Sequence, residues 1–126
     1  VIRGLLVGHA GFGEALLKAL ESISGVHEEI IPVSNEGLST RDIADRIQDA
    51  ARDSHDEGII VFVDVFGGSC WRAAKSARIP MSRIITGFNL PMLLSFVNKR
   101  TILPFEELAE VMENDGKRGI CSGEML

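Results

Sequence analysis

The chain has only two cysteines, Cys70 and Cys121, far apart and outside any C-x-x-C pair. That spacing argues against a zinc site and a disulfide framework, and it predicts free thiols. Long apolar runs are missing too. The longest strongly apolar stretch is Ile59 to Val63, against the roughly 20 residues a membrane helix needs. Val1-Ile2-Arg3 does not open a signal peptide, so a cytoplasmic chain without direct membrane insertion is expected. No stretch is dense in Lys and Arg, and 13 basic against 18 acidic residues leave a net charge of −5. Such a surface repels a phosphate backbone, so nucleic acid is not an expected partner. There is no internal repeat, low-complexity tract or linker. What is present, 45% apolar and 25% charged residues in a chain of 126, suits one globular domain spanning residues 1–126.

Strand and helix signals alternate along the chain. Ile2 to Val7 reads as a strand, broken only by Arg3 and Gly4, and runs into the loop Gly8-His9-Ala10-Gly11-Phe12-Gly13. From Glu14, the residues Ala15, Leu16, Leu17, Ala19, Leu20 and Ile23 mark one broad helical face, stopped by Gly25. Ile30, Ile31 and Val33 form a second strand. Thr40 is the expected N-cap of a second helix, with Ile43, Ala44, Ile47, Ala50 and Ala51 at helical spacing. The unalternating run Ile59-Ile60-Val61-Phe62-Val63 predicts a central strand covered on both faces. A short helix from Cys70 through Ala77 follows, then a fourth strand at Ile84-Ile85-Thr86 and a helix with Pro91 as its first residue. Glu106 to Glu113 predicts the last helix, stopped at Gly116, ahead of a tail that could form an edge strand.

This alternation implies an α/β fold, because parallel strands need crossovers long enough to hold helices. The expected architecture is a doubly wound three-layer sandwich with a mainly parallel sheet of order 2-1-3-4 and a short C-terminal edge strand. In such a sheet, ligands bind beyond the carboxyl ends of strands one and three, where the winding reverses. The polar residues there are His9 and Asp64.

A neutral imidazole is a nucleophile. A carboxylate accepting from Nδ1–H would fix its tautomer, turn the Nε2 lone pair outward and stabilise the charge that grows on phosphorylation. Gly67-Gly68-Ser69 precedes a helix, so its N–H groups, with the Ser69 hydroxyl, suit an anion and point to a phosphoryl group. Blander readings stand beside these. A loop histidine can be a surface residue, Asp64 can cap the following turn, and turn glycines are commoner than anion cradles.

Other motifs carry less. Ala10 occupies the place of the second glycine in a dinucleotide fingerprint, and no G-K-[ST] follows any glycine loop. His27 and His55 lie in polar connections and read as solvated. A metal on His9 and Asp64 would need further ligands, and the sequence places no third, so neither metal nor cofactor is expected. Trp71 and Phe88 read as packing residues that contact a partner only if exposed.

Three segments, Leu6 to Leu16 (LVGHAGFGEAL), Val63 to Ser69 (VDVFGGS) and Thr86 to Leu93 (TGFNLPML), resemble in order the enzyme IIA domain of mannose-type (mannose/fructose/sorbose) sugar phosphotransferase systems. The similarity extends to Phe105-Glu106-Glu107-Leu108 and Gly116-Lys117-Arg118-Gly119-Ile120. It implies that His9 accepts a phosphoryl group on Nε2 from the phosphocarrier protein HPr and passes it to enzyme IIB, with Asp64 orienting the ring. Phe12, Phe66, Trp71, Arg72 and Asn89 are the expected partner contacts. The resemblance also implies a homodimer that exchanges the strand after Gly119, where Ile120, Met125 and Leu126 would gain burial, although such a tail can equally fold back on its own chain.

One segment departs from the family. Proline and then small or amide residues usually follow Gly-Gly-Ser there, whereas this chain has Cys70-Trp71-Arg72. Arg72 could contact phosphate or alter the partner-facing surface. Two functions therefore stay open: a phosphohistidine relay for sugar uptake, or a phosphoacceptor module that signals by binding a partner without transport. A magnesium-dependent receiver lacks its acidic pair at Gly8-His9, and a flavin module rests on fold analogy alone.

Overall fold

A computed structural model describes residues 1–53 and 57–124. The elements run β1 (Arg3–Gly8), α1 (Phe12–Ser24), β2 (Ile30–Ser34), α2 (Thr40–Ala51), β3 (Ile59–Val63), α3 (Ser69–Ala77), β4 (Ser82–Thr86), α4 (Leu90–Lys99) and α5 (Phe105–Arg118). The four strands form one parallel sheet in the order β2-β1-β3-β4, the winding expected from the alternation.

Side chains on successive strand residues point to opposite faces, and this period of two divides the core. Leu5, Val7, Ile59, Val61 and Val63 face a cluster with Ile43, Ile47, Cys70, Ala73 and Ala77 of α2 and α3. Leu6, Ile60 and Phe62 face the other cluster, with Leu20, Leu93, Phe96, Leu108 and Met112 of α1, α4 and α5. β1 and β3 are buried along their whole length. Arg3 stays in β1 because its guanidinium is spent: Nε donates to Glu29 at 2.5 Å, and Nη1 donates to the Ala50 and Arg52 carbonyls at 2.9 and 2.7 Å. A buried cation is tolerated where its donors are matched in this way.

Helix boundaries depart from the local signals for identifiable reasons. Ser39, one residue before the expected Thr40, caps α2 by accepting from Asp42 N–H at 3.1 Å. Asn89 caps α4, accepting from Met92 N–H at 2.9 Å, which puts Leu90 first in the helix and Pro91 second. In α1 Leu20 is buried and Leu16, Leu17 and Ala19 are half-buried, whereas Ala15 and Ile23 are exposed. Gly116 does not stop the last helix. It lies inside α5 because the missing side chain lets α5 close on α4: a Cβ there would stand 2.4 Å from Met92 Cε. Gly13 serves α1 likewise, since a Cβ would meet the Leu6 carbonyl oxygen of β1 at 2.6 Å.

Among the described residues the expected C-terminal edge strand does not form. α5 continues to Arg118, and residues 119–124 pair with no strand. Gly119 sits against the Pro91 ring, where a Cβ would come within 2.6 Å, and Ile120 leaves that contact 77% exposed. Unpaired strands are unstable alone, so the segment has nothing to hold it extended. Met125 and Leu126 lie outside the described residues, as does His55.

Asp115 ties α5 to α4. Its carboxylate accepts from Lys99 Nζ at 2.6 Å and also from Ser95 and Arg118. The Lys99, Ser95 and Arg118 hydrogen bonds hold the Asp115 carboxyl well below the usual carboxylate range. A carboxyl depressed in the folded state contributes stability that is full above its unfolded value and lost as pH falls toward the folded one. Asp115→Asn should therefore flatten the acid limb of stability from about pH 5 downward while lowering stability at neutral pH; urea titrations across pH check it, and parallel acid limbs for the two proteins would contradict it.

Candidate functional site

Sheet register builds the site. β1 lies beside β3 with Val7 opposite Val63, and Asp64 N–H donates to the Val7 carbonyl at 3.1 Å. The residues leaving both strands, His9 and Asp64, therefore emerge side by side although 55 positions separate them. His9 Nδ1 lies 2.8 Å from Asp64 Oδ2, and the same oxygen accepts from the His9 backbone N–H at 2.9 Å. The other carboxylate oxygen accepts from Val65 N–H at 2.9 Å. Asp64 thus acts in both ways left open by the sequence, fixing the turn and the ring together. A carboxylate offers no proton, so the neutral ring carries its hydrogen on Nδ1 and its lone pair on Nε2. The His9 side chain is 47% exposed and that of Asp64 only 7%. Nε2 has no hydrogen-bond partner among the described residues.

The end of β2 holds the His9 loop. Ser34 Oγ donates to the Ala10 carbonyl at 2.8 Å, Ala10 N–H donates to Asn35 Oδ1 at 3.0 Å, and Asn35 N–H donates to the Gly8 carbonyl at 3.1 Å. These bonds offset the left-handed conformation of Ala10, whose φ is 49°. Ser34 and Asn35 are positioning residues the sequence reading missed; their place at the carboxyl end of the strand beside β1 was the available signal.

The Gly67-Gly68-Ser69 segment lies against the ring. A Cβ on Gly68 would stand 3.6 Å from His9 Cε1 and 4.0 Å from Nε2, so the backbone entering α3 borders the free nitrogen. The first N–H groups of a helix lack intrahelical acceptors and carry partial positive charge, which suits an anion at that nitrogen. Arg72 donates from Nη1 to the Gly67 carbonyl at 2.9 Å and so braces this turn.

Aromatic side chains follow both strand ends of the site, Phe12 at the start of α1 and Phe66 in the turn before α3. Phe66 is 71% exposed and lies 4.7 Å from the Trp71 ring, with Lys75 Nζ 4.3 Å above the indole. Phe12 is exposed on the other flank and meets buried Phe88 edge-on at 5.3 Å. Trp71 is half-buried against the α2–α3 cluster. Asn89 is separate in kind: it is half-buried, its Oδ1 caps α4, and its Nδ2 donates to the Gly116 carbonyl at 3.0 Å. His27 is half-buried, 2.8 Å from Ser24 Oγ, and takes no part in the site. A cavity of about 450 Å³ lined by Gln48, Gly58, Ile79 and Met81 lies at the amino end of β3, opposite to His9.

Beneath the ring lies Cys70, buried, with Sγ 3.9 Å from His9 Nδ1. Burial first, and the Asp64 charge second, push its thiol up to about 11, against an opposing hydrogen bond from Ser69. The third metal-type donor that the sequence did not place is therefore supplied by α3: one ligand atom each from His9, Asp64 and Cys70 lies within 4.8 Å of the others.

Fold and site together define a doubly wound α/β domain with an exposed, carboxylate-held histidine at its switch point. Family and structural comparisons narrow that class. Residues 4–113 match the EIIA-man family, described as PTS system fructose IIA component, and the chain belongs to it. It is 24% identical over 115 residues, covering 90% of this chain and 85% of the relative, to the PTS system sorbose-specific EIIA component of Klebsiella pneumoniae. Its fold matches the phosphotransferase system component EIIA from Streptococcus agalactiae with a TM-score of 0.90, at 24% identity over 97% of each chain. The mannose/sorbose specific IIA subunit from Enterococcus faecalis superposes with a TM-score of 0.82, at 18% identity over 99% of this chain and 96% of that one. Family membership supports a phosphotransfer role in a sugar phosphotransferase system. No described helix is long and apolar enough to cross a membrane.

Nitrogen-resolved NMR of the imidazole tests the Asp64 contact directly. The neutral His9 ring should be almost entirely Nδ1-protonated, and Asp64→Ala should move the proton toward Nε2 while costing about 2 kcal/mol by orphaning backbone donors. An unchanged tautomer in the variant would contradict the assignment.

Proposed function

We propose that the chain is the phosphohistidine relay of a sugar phosphotransferase system, taking a phosphoryl group from phospho-HPr onto His9 and handing it to enzyme IIB in the cytoplasm. The observation that carries this reading is the half-exposed His9 ring, bound at Nδ1 by Asp64 and free at Nε2 beside the start of α3.

In the forward step the Nε2 lone pair attacks phosphorus as the donor's P–N bond breaks, and the departing imidazole keeps the bonding pair. The new phosphoimidazolium shares its positive charge with Nδ1–H, where the Asp64 carboxylate stabilises it. In this reading the N–H groups at Gly68 and Ser69, with the Ser69 hydroxyl, bind the transferred oxygens, so alignment and fixed dipoles supply the catalysis. Transfer to enzyme IIB repeats the step in reverse with a new acceptor. A half-exposed nucleophile whose loops carry the exposed Phe12 and Phe66 suits a donor carried on a protein surface, since aromatic anchors of this kind dominate protein interfaces. Arg72, held on the Gly67 carbonyl, fixes the turn from which that surface projects.

Incubation with phosphoenolpyruvate, enzyme I and HPr should place one acid-labile phosphoryl group on this chain. His9→Ala should abolish labelling, and Asp64→Asn should slow it by about 100-fold or more while the chain stays folded. Labelling that survives in His9→Ala would falsify the relay.

The same reading includes a homodimer in which the tail after Gly119 pairs with a second copy. The unpaired edge of β4 and the exposed Ile120 support it, because strand exchange closes an edge at low cost. Light scattering should return twice the chain mass of 13.7 kDa, falling to one copy when residues 120–126 are removed; a monomer before truncation would count against exchange.

A further inference from the structure

We propose that His9, Asp64 and Cys70 form a binding site for a zinc-class divalent cation, and that a cation held there prevents His9 from accepting a phosphoryl group. The first half stands on the donor geometry alone. The second rests on the relay reading above.

Three donors of different kinds converge: imidazole Nδ1, carboxylate Oδ2 and thiol Sγ. Nδ1 lies 2.8 Å from Oδ2 and 3.9 Å from Sγ. Tetrahedral zinc, with bonds of about 2.0–2.1 Å to nitrogen and oxygen and about 2.3 Å to sulfur, holds such pairs about 3.3 and 3.6 Å apart. These two separations fall on either side of those values by up to about half an ångström, within reach of small rotations of the exposed imidazole, while Oδ2 and Sγ, no more than 4.8 Å apart, close on a cation by small rotations of the Asp64 and Cys70 side chains. A sulfur, nitrogen and oxygen set suits zinc rather than magnesium or calcium, which take oxygen ligands. Three protein ligands beside an exposed ring leave the fourth position to water, as in open zinc sites.

The parts are already held in place. Asp64 is fixed by Val65 N–H and Cys70 by the α2–α3 core, so binding adds little ordering cost. Zinc on Sγ releases the thiol proton to buffer. Zinc on Nδ1 replaces the hydrogen there, and the neutral ring carries its proton on Nε2 instead. The atom that attacks phosphorus then has no lone pair to offer, and Asp64 is spent on the cation. Metal and phosphoryl group thus require opposite tautomers of one ring, which makes the two states exclusive without any change of fold.

The test uses the full chain carrying Cys121→Ser, which removes the exposed second thiol. Cobalt(II) as the probe should bind one equivalent with a sulfur-to-metal charge-transfer band, and zinc chloride should displace it. Cys70→Ala should abolish the band, and His9→Gln, at an exposed position, should weaken binding more than about tenfold without disturbing the core. No band at saturating cobalt, or a band that persists in Cys70→Ala, overturns the site; if that variant does not fold, unchanged affinity in His9→Gln does so. Labelling through HPr should stop at saturating zinc in the Cys121→Ser chain and continue in the Cys70→Ala/Cys121→Ser chain. Equal inhibition of both, or of neither, overturns the exclusion. A metal-free chain that is never labelled refutes the relay and leaves the cobalt result standing.

Discussion

The alignment of β1 beside β3 is the constraint on which the site depends. With Val7 opposite Val63, the next residues of the two strands emerge into one crevice, and the Asp64 carboxylate meets both the backbone and the ring of His9. A slip of one residue would turn the strand's apolar side chains to the opposite faces, exchanging Leu5 and Val7 with Leu6. The hydrophobic core therefore enforces the register, and the register places the chemistry. Stability and function are linked here through strand pairing, without any long-range device.

The surroundings divide the labour. β2 restrains the His9 loop through Ser34 and Asn35, β3 presents the carboxylate, and α3 brings its first N–H groups and the Cys70 sulfur to the ring. Each contribution comes from the carboxyl end of a strand or the amino end of a helix, where backbone groups are free of their own ladder. The edge away from the protein body is aromatic and exposed, while the opposite end of the sheet holds a cavity remote from His9.

Much of this was legible in the amino-acid order. The strand order follows from alternation and winding, Ile59 to Val63 declares itself as a central strand by lacking a polar face, and His9, Asp64 and the glycine turn stand where such sheets place ligands. Local signals failed where a distant neighbour decided the outcome. Gly116 reads as a helix stop, yet it permits α4 and α5 to touch; Asn89 is expected as a partner contact, yet both its polar atoms are used inside the chain. The tail after Gly119 has apolar strand-like residues, but among the described residues it has no partner strand in the same chain.

Sequence by itself determined the periodicities, the breaks and the inventory of groups: which runs are apolar, where the glycines sit, and that an imidazole follows one strand and a carboxylate another. Those are properties of nearby residues, and a repeat of 2 or 3.6 records them directly. Only the tertiary structure decided that Cys70 joins this pair, that Ser34 and Asn35 hold the loop, and that one nitrogen of His9 is bound and the other free. Such facts depend on distances of a few ångströms between residues tens of positions apart, and those distances exist only once the sheet has paired and the helices have closed upon it.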